Sequence, residues 1–257
     1  MAHGMADRIR EGLSGLPHHV HGLYAGTGWV SETTDETGAR LRVLRLGGAE
    51  QSATYLDERR FDLPFEYLSL FDLALRDVPE APHVAMIGGG CFSWPKHALV
   101  RWPGIRLTVV EPESALVELA RSEFFLDEAE RRFATHPIDV RTMTGQDFLA
   151  SCDDTFDALL VDAFVGSQAD EGLFAPQHVK DMRACLGDKS ILAANVVSAL
   201  SGRRAQALDD VAHALGDVFE HVCALPMNMT RPRAVDNVVV FASRMPLAIP
   251  GSLPLER

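Results

Sequence analysis

The chain has 257 residues and a net charge of -12, with no basic block to neutralise phosphates, which excludes nucleic acid as a partner. Hydrophobic residues at 47% and charged residues at 23% describe a globular protein with a full core, and no apolar run reaches the ~20 residues of a membrane span. The absence of a basic-then-apolar leader points to the cytoplasm, where Cys91, Cys152, Cys185 and Cys223, lacking CxxC spacing, are expected as separate reduced thiols.

Residues 1–20 read as a flexible tail. His19 and His21 share one face of an extended segment, but no carboxylate or thiol nearby completes a ligand set, so no metal is expected. Residues 21–80 read as a small β appendage with a linking helix. Trp29–Thr33 and Leu41–Leu46 alternate apolar and polar residues around the turn Asp35-Glu36-Thr37-Gly38, and Gly47-Gly48 precede a third strand over Gln51–Leu56. Three short strands are too thin to stand alone and must pack on the main domain or on another subunit. Phe65–Leu75 reads as a helix, closed by Pro79 and Pro82, which mark the domain junction.

Residues 81–257 read as a Rossmann-like nucleoside-binding domain. The apolar strand His83–Ile87 ends in Gly88-Gly89-Gly90, a helix start follows at Ser93 and Pro95, and a second strand, Thr108–Val110, ends in Glu111. Strand, glycines, helix, strand and acid in that order form a nucleotide-binding βαβ unit. Glycines let a ligand approach the backbone, and an acid at the second strand's tip can accept both hydroxyls of a ribose. Cys91, next in the loop, is either a thiol activated at a helix N-terminus or a small residue filling a tight turn.

Further on, a helix spans Glu113–Phe125, a strand Asp139–Met143 and a short helix Gly145–Leu149. Phe156–Asp162 is a strand that again ends in a carboxylate, which either serves a site or caps the next helix. Helix Pro176–Leu186, strand Ser190–Val197 and helix Arg203–Phe219 follow. The last strands, His221–Leu225 and Val238–Ala242, are joined by a loop with Met227, Asn228 and Met229, which reads as packing or as a lid. Alternating strands and helices specify a parallel α/β sheet, and the two final strands must pair antiparallel.

An antiparallel last strand resembles the class I S-adenosylmethionine-dependent methyltransferase fold. Within it, the motif order resembles the spermidine synthase (polyamine aminopropyltransferase) family over roughly residues 25–245. The stretches that carry this are Gln51-Ser52, Phe65-Glu66-Tyr67, Ile87-Gly88-Gly89-Gly90, Val110-Glu111-Pro112, Phe156-Asp157 through Val161-Asp162-Ala163-Phe164, Glu171-Gly172-Leu173-Phe174 and Asn237–Ser243. The resemblance implies S-adenosylmethionine or its decarboxylated form as co-substrate, a small acceptor such as an amine, and a homo-oligomer built through the appendage. It implies that Gly88, Gly89 and Gly90 border the methionine-derived part, Glu111 holds the ribose and Gln51 contacts the nucleoside. Tyr67 lines the acceptor channel, and Asp162 sits beside the sulfonium as the candidate catalytic acid.

Departures fall on the acceptor half. The family's catalytic acid is replaced by Val165, its amine-gripping acid by Cys91, and the residue after the channel tyrosine is Leu68. The acid for the adenine amino group falls near Thr144, with Asp147 as substitute. Asp170, Glu171 and Glu66 are the acids left to hold an ammonium. Three functions follow: aminopropyl transfer to an amine, methyl transfer to a non-polyamine acceptor, or nucleoside binding without catalysis. Each would be an expected outcome of a binding-and-turnover experiment rather than of the motifs alone.

Overall fold

The computed structural model describes residues 17–23, 26–165, 168–169 and 171–255. The appendage is a four-stranded antiparallel meander of β1 (His18–Leu23), β2 (Gly26–Thr34), β3 (Arg40–Leu46) and β4 (Ala49–Tyr55). The expected turn between β2 and β3 is built on the Asp35 carboxylate, which accepts from the Thr37 hydroxyl at 2.7 Å and from the Thr37 and Ala39 N–H groups at 2.9 Å. One strand more is present than the sequence pattern gives. β1 begins inside the segment read as a tail, because its ladder to β2 and the edge contact of His19 with Trp29, centroids 4.3 Å apart, need no apolar period.

The main sheet runs β12-β10-β11-β9-β8-β5-β6-β7. Its strands are β5 (His83–Ile87), β6 (Arg106–Val110), β7 (Asp139–Arg141), β8 (Phe156–Val161), β9 (Leu186–Ser198), β10 (His221–Pro226), β11 (Asp236–Ser243) and β12 (Leu253–Pro254). β7, β6, β5, β8 and β9 are mutually parallel, while β11 is antiparallel to both β9 and β10 and lies between them. The chain thus runs outward from β5 to β6 and β7, then crosses back to β8 on the other side of β5. That reversal opens a crevice at the carboxyl ends of β5 and β8.

Strand alternation divides the core. Val84, Met86, Leu107, Val109 and Leu160 enter one apolar cluster, and Ala85, Ile87, Val110, Leu159 and Val161 enter the other. Helices α1 (Ser93–Arg101), α2 (Ser114–Glu123) and α3 (Leu126–Phe133) cover the first face, and α4 (Gly145–Ala150), α5 (Pro176–Ala184) and α6 (Gln206–Gly216) the second. The helix expected over Glu113–Phe125 is present as α2, and Phe125, at φ 63°, is the N-cap of α3, a helix that the sequence pattern did not give. The linking segment Glu66–Leu75 is a 3-10 helix rather than an α-helix. Its buried residues are Leu68, Phe71, Ala74 and Leu75, and the first three follow a spacing of three, which suits three residues per turn.

The appendage is fastened to the main domain through consecutive residues of β4. Ser52 Oγ accepts from the Cys91 N–H at 3.0 Å, the Ala53 carbonyl accepts from Ser93 Oγ at 2.9 Å, and Thr54 Oγ1 accepts from Lys96 Nζ at 3.1 Å. Leu23, Val30, Leu44 and Leu46 bury their side chains in the first core cluster, so the appendage shares the main core, and Leu41, Val43 and Ala53 form only a small cluster beside it. Lys96 is 1% exposed, and its ammonium also donates to the carbonyls of Phe124 and Arg60. Burial pushes its pKa down to about 7, while three acceptors around three N–H donors favour the charged form. Phe124 caps α2, so the charge also meets the negative end of that helix. Lys96→Met would strand these buried acceptors, and we expect it to lower the unfolding free energy by about 2–3 kcal/mol. Urea unfolding reads this directly, and an unchanged midpoint would deny the ammonium a structural role.

Candidate functional site

The glycine turn after β5 is pressed against the end of β8. Gly88 has φ +92°, and a Cβ there would lie 2.2 Å from the Asp162 carbonyl oxygen. Gly88 N–H donates to the Val110 carbonyl at 2.9 Å, and Asp162 N–H donates to the Ile87 carbonyl at 2.8 Å. These bonds lock the tips of β6, β5 and β8 together. The N–H groups of Gly89 and Gly90 donate to Glu111 Oε2 at 3.1 and 2.7 Å, and that of Glu113 donates to Oε1 at 3.1 Å. The loop therefore aims its amides at Glu111 rather than at open space. Glu111 is 5% exposed, and burial pushes its pKa up to about 7 despite the three amides that favour ionisation. Oε1 keeps an acceptor position for a hydroxyl.

Asp162 follows β8 and is held from both sides. Tyr67 Oη donates to Oδ2 at 3.0 Å, and Asn195 Nδ2 donates to Oδ1 at 2.9 Å. Ala194 pairs with Val161 across β9 and β8, which brings the next residue of each strand level. Burial pushes the Asp162 pKa up to about 6, against the two donors that lower it. The Tyr67 hydroxyl is driven well above its ordinary value by burial and by the adjacent carboxylate. The pair at neutral pH is thus a carboxylate accepting from a neutral phenol.

Gln51, Tyr67, Gly88, Gly89, Gly90, Glu111 and Asp162 all line one cavity of about 940 Å³. The size suits a small-molecule site. Its wall carries Glu50, Glu66, Glu111, Glu113, Asp162 and Asp236 and, among the described residues, no Lys, Arg or His. The appendage supplies one side through Leu44, Leu46 and Gln51, and the opposite rim comes from Val197, Met227 and Asn237.

Asp147 is placed elsewhere. Its carboxylate accepts from Thr144 Oγ1 at 2.7 Å, and Thr144 Oγ1 accepts from the Asp147 N–H at 3.1 Å, which makes Thr144 the N-cap of α4. Thr144, Gly145 and Gln146 reach the cavity wall instead. Asp170 lies outside the described residues, as do the side chains of Glu171 and Val165. Cys91 is fully buried and does not line the cavity, and burial pushes its thiol up to about 12, which fits a turn filler and not a nucleophile. Asn195 and Asn237 were not singled out from the sequence. The available signal was an asparagine inside the apolar run Ile191–Val197, near the carboxyl end of its strand.

Both site acids have folded pKa values above their ordinary ones, 4.5 for Glu111 and 3.8 for Asp162. Between those values and about 7, the folded chain holds protons that the unfolded chain has released, so stability falls as pH rises through the window. We expect Asp162→Asn to raise the unfolding free energy at pH 8 by about 1–3 kcal/mol and to flatten part of the fall between about pH 4 and 6. Urea unfolding across pH reads this, and a variant less stable than its parent at pH 8 would show that the carboxylate carries no burial penalty.

No protein-family model matches the sequence, and no curated protein matches it. Solved structures do match the fold. A probable spermidine synthase from Corynebacterium glutamicum ATCC 13032 is similar at a TM-score of 0.74 and 18% identity, covering 90% of this chain and 81% of that one. A spermidine synthase in complex with the transition state analogue AdoDATO is similar at a TM-score of 0.64 and 15% identity, covering 85% of this chain and 71% of that one. Human methyltransferase-like protein 13 in complex with SAH follows at a TM-score of 0.57 and 17% identity, covering 73% of this chain and 87% of that one. At these identities the likeness is one of fold, and the chain has the spermidine synthase-like, class I methyltransferase-type α/β fold with its small N-terminal β-sheet.

Proposed function

We propose that this chain is a transferase that binds decarboxylated S-adenosylmethionine and passes its aminopropyl group to an amine. The carrying observation is the cavity wall, which offers six carboxylates and no cationic side chain among the described residues. Such a wall attracts a cationic nucleoside and a cationic acceptor, and it gives the carboxylate of S-adenosylmethionine no partner. The residues fit the nucleoside: Glu111 offers an acceptor to the ribose, the glycine turn leaves room beside it, and Gln51 faces in from the appendage.

The sulfonium supplies an activated carbon, so that attack by the amine forms the N–C bond while the C–S bond breaks and its electron pair stays on sulfur as a neutral thioether. Asp162 is the group that takes the proton the amine gives up. Its pKa of about 6 leaves it ionised at neutral pH yet basic enough to share a proton. Tyr67 and Asn195 fix its two oxygens, so the carboxylate does not rotate away from the acceptor. Glu66 and Asp236 on the same wall are the acids that would hold a distal ammonium.

Methyl transfer to an uncharged acceptor is the second reading. It is favoured by the burial of Cys91, which removes an amine anchor, and by the apolar rim of Val197 and Met227. Binding of the nucleoside without turnover is the third.

Titration calorimetry with methylthioadenosine and S-adenosylhomocysteine separates these. We expect methylthioadenosine to bind on the order of tenfold more tightly, because S-adenosylhomocysteine would bury an unpaired carboxylate. A reversed preference would overturn aminopropyl transfer in favour of methyl transfer. Glu111→Gln should weaken methylthioadenosine about 10- to 100-fold, since a charged acceptor is lost. With decarboxylated S-adenosylmethionine and a diamine, Asp162→Asn should lower turnover by about 10²- to 10⁴-fold while leaving the methylthioadenosine affinity nearly unchanged. Tight binding with no turnover of either nucleoside would leave the third reading.

A further inference from the structure

Residues 199–205 lead out of β9, and residues 227–235 join β10 to β11. Backbone bonds join the two loops into one surface. The Pro232 carbonyl accepts from the N–H groups of Leu200 and Ser201 at 2.8 and 2.9 Å, and the Arg233 carbonyl accepts from Arg204 Nη2 at 2.8 Å. Each loop is also braced internally: Ala199 N–H donates to the Arg204 carbonyl at 3.0 Å, and Ala234 N–H to the Arg231 carbonyl at 2.9 Å. Arg203, Arg204, Arg231 and Arg233 are thereby gathered on one patch, and all four are exposed. Most other arginines, from Arg40 to Arg244, hold a carboxylate within ion-pair distance. None of these four does among the described residues, although acids outnumber bases in the chain. Met229 and Val235, 51% and 43% exposed, flank Arg231 and Arg233 in the second loop. Met227 and Asn228 begin that loop and line the cavity, so the patch adjoins the cavity mouth.

The geometry points to a docking surface for a short acidic segment of a partner protein, with apolar side chains among its carboxylates, bound beside the cavity mouth. Guanidinium groups pair with carboxylates through two parallel N–H bonds, and four of them held together repel one another until an anion arrives. The flexible thioether of Met229 and the Val235 side chain give apolar contact between the charges, which a free phosphate would leave unused. A nucleic acid or an anionic membrane is larger than the patch. Either would carry its negative charge over Asp209 and Asp210, exposed on α6 just beyond the first loop, and over the acids of the cavity wall. A short segment covers the arginines alone. The site lies outside the catalytic cavity, and it does not depend on which nucleoside the cavity takes.

Fluorescence anisotropy of a labelled dodecapeptide with the repeat Glu-Glu-Leu, titrated with the full chain, tests the docking surface. We expect saturable binding that weakens as salt rises, and none to the same peptide with lysine in place of glutamate. Arg203→Gln, Arg231→Gln and Arg233→Gln together should weaken binding about tenfold, the combined effect of several exposed ion pairs. Arg204 is kept, because its guanidinium ties the loops together. Met229→Ser with Val235→Ser should weaken binding about threefold through lost apolar contact. Arg76→Gln, Arg101→Gln and Arg131→Gln together remove the same charge from exposed arginines elsewhere and should change affinity less than about twofold. All these side chains are exposed, and an unchanged thermal transition confirms that each variant is folded. Equal weakening by the two arginine sets would reduce the effect to net charge and overturn the site, as would a peptide that does not bind. Tighter binding of a single-stranded oligonucleotide or of phosphatidylserine vesicles than of the peptide would overturn the choice of partner. The titration uses no nucleoside, so its failure leaves the transferase reading standing.

Discussion

Contact between the glycine turn after β5 and the end of β8 is the constraint from which the site follows. Gly88 lies so close to the Asp162 carbonyl that no Cβ fits between them, and the flanking ladder bonds join β6, β5 and β8 at their tips. Because the chain leaves β5 toward β6 but returns on the β8 side, the loops beyond this knot diverge. Glu111 is carried on one wall of the opening and Asp162 on the other, in fixed relation to the same glycine. The appendage closes the remaining side, bonded through Ser52, Ala53 and Thr54 to the turn and to α1, and this brings the adjacent Gln51 to the cavity.

Two kinds of buried charge coexist here, and their surroundings separate their tasks. Lys96 is enclosed by acceptors contributed by three different segments, and it holds structure together behind the cavity. Glu111 and Asp162 face the cavity itself, accept bonds from amides and side chains, and still have pKa values lifted into the neutral range by burial. Acids kept in this state oppose stability at neutral pH, the trade of stability for a special electrostatic environment that is common where side chains line a cavity.

Much of this was legible in the residues. Gly88-Gly89-Gly90 followed by a strand ending in Glu111 specified the turn and its acid, and Val161-Asp162 marked a second strand tip. The consecutive strands His221–Pro226 and Asp236–Ser243 required an antiparallel pair, which the sheet contains with β11 between β9 and β10. Where the reading missed, the cause was a local pattern with more than one solution. Leu68, Phe71 and Ala74 satisfy a 3-10 helix as readily as they suggest an α-helical stripe. Asp147 has a donor three residues before it, in Thr144, and a short-range cap took the acid that a longer-range reading had given to a ligand.

By itself, then, the sequence determined the order of strands and helices, the glycine turn and the acids at strand tips, because each depends on spacing within a few residues. Tertiary structure alone decided what those acids touch. Tyr67 meets Asp162 across 95 residues of chain and Asn195 meets it across 33, while Lys96 gathers acceptors from residues 54, 60 and 124. Such partners depend on strand register and on which elements pack side by side, and hydrogen bonds are sensitive to ångström-scale placement that no local periodicity encodes.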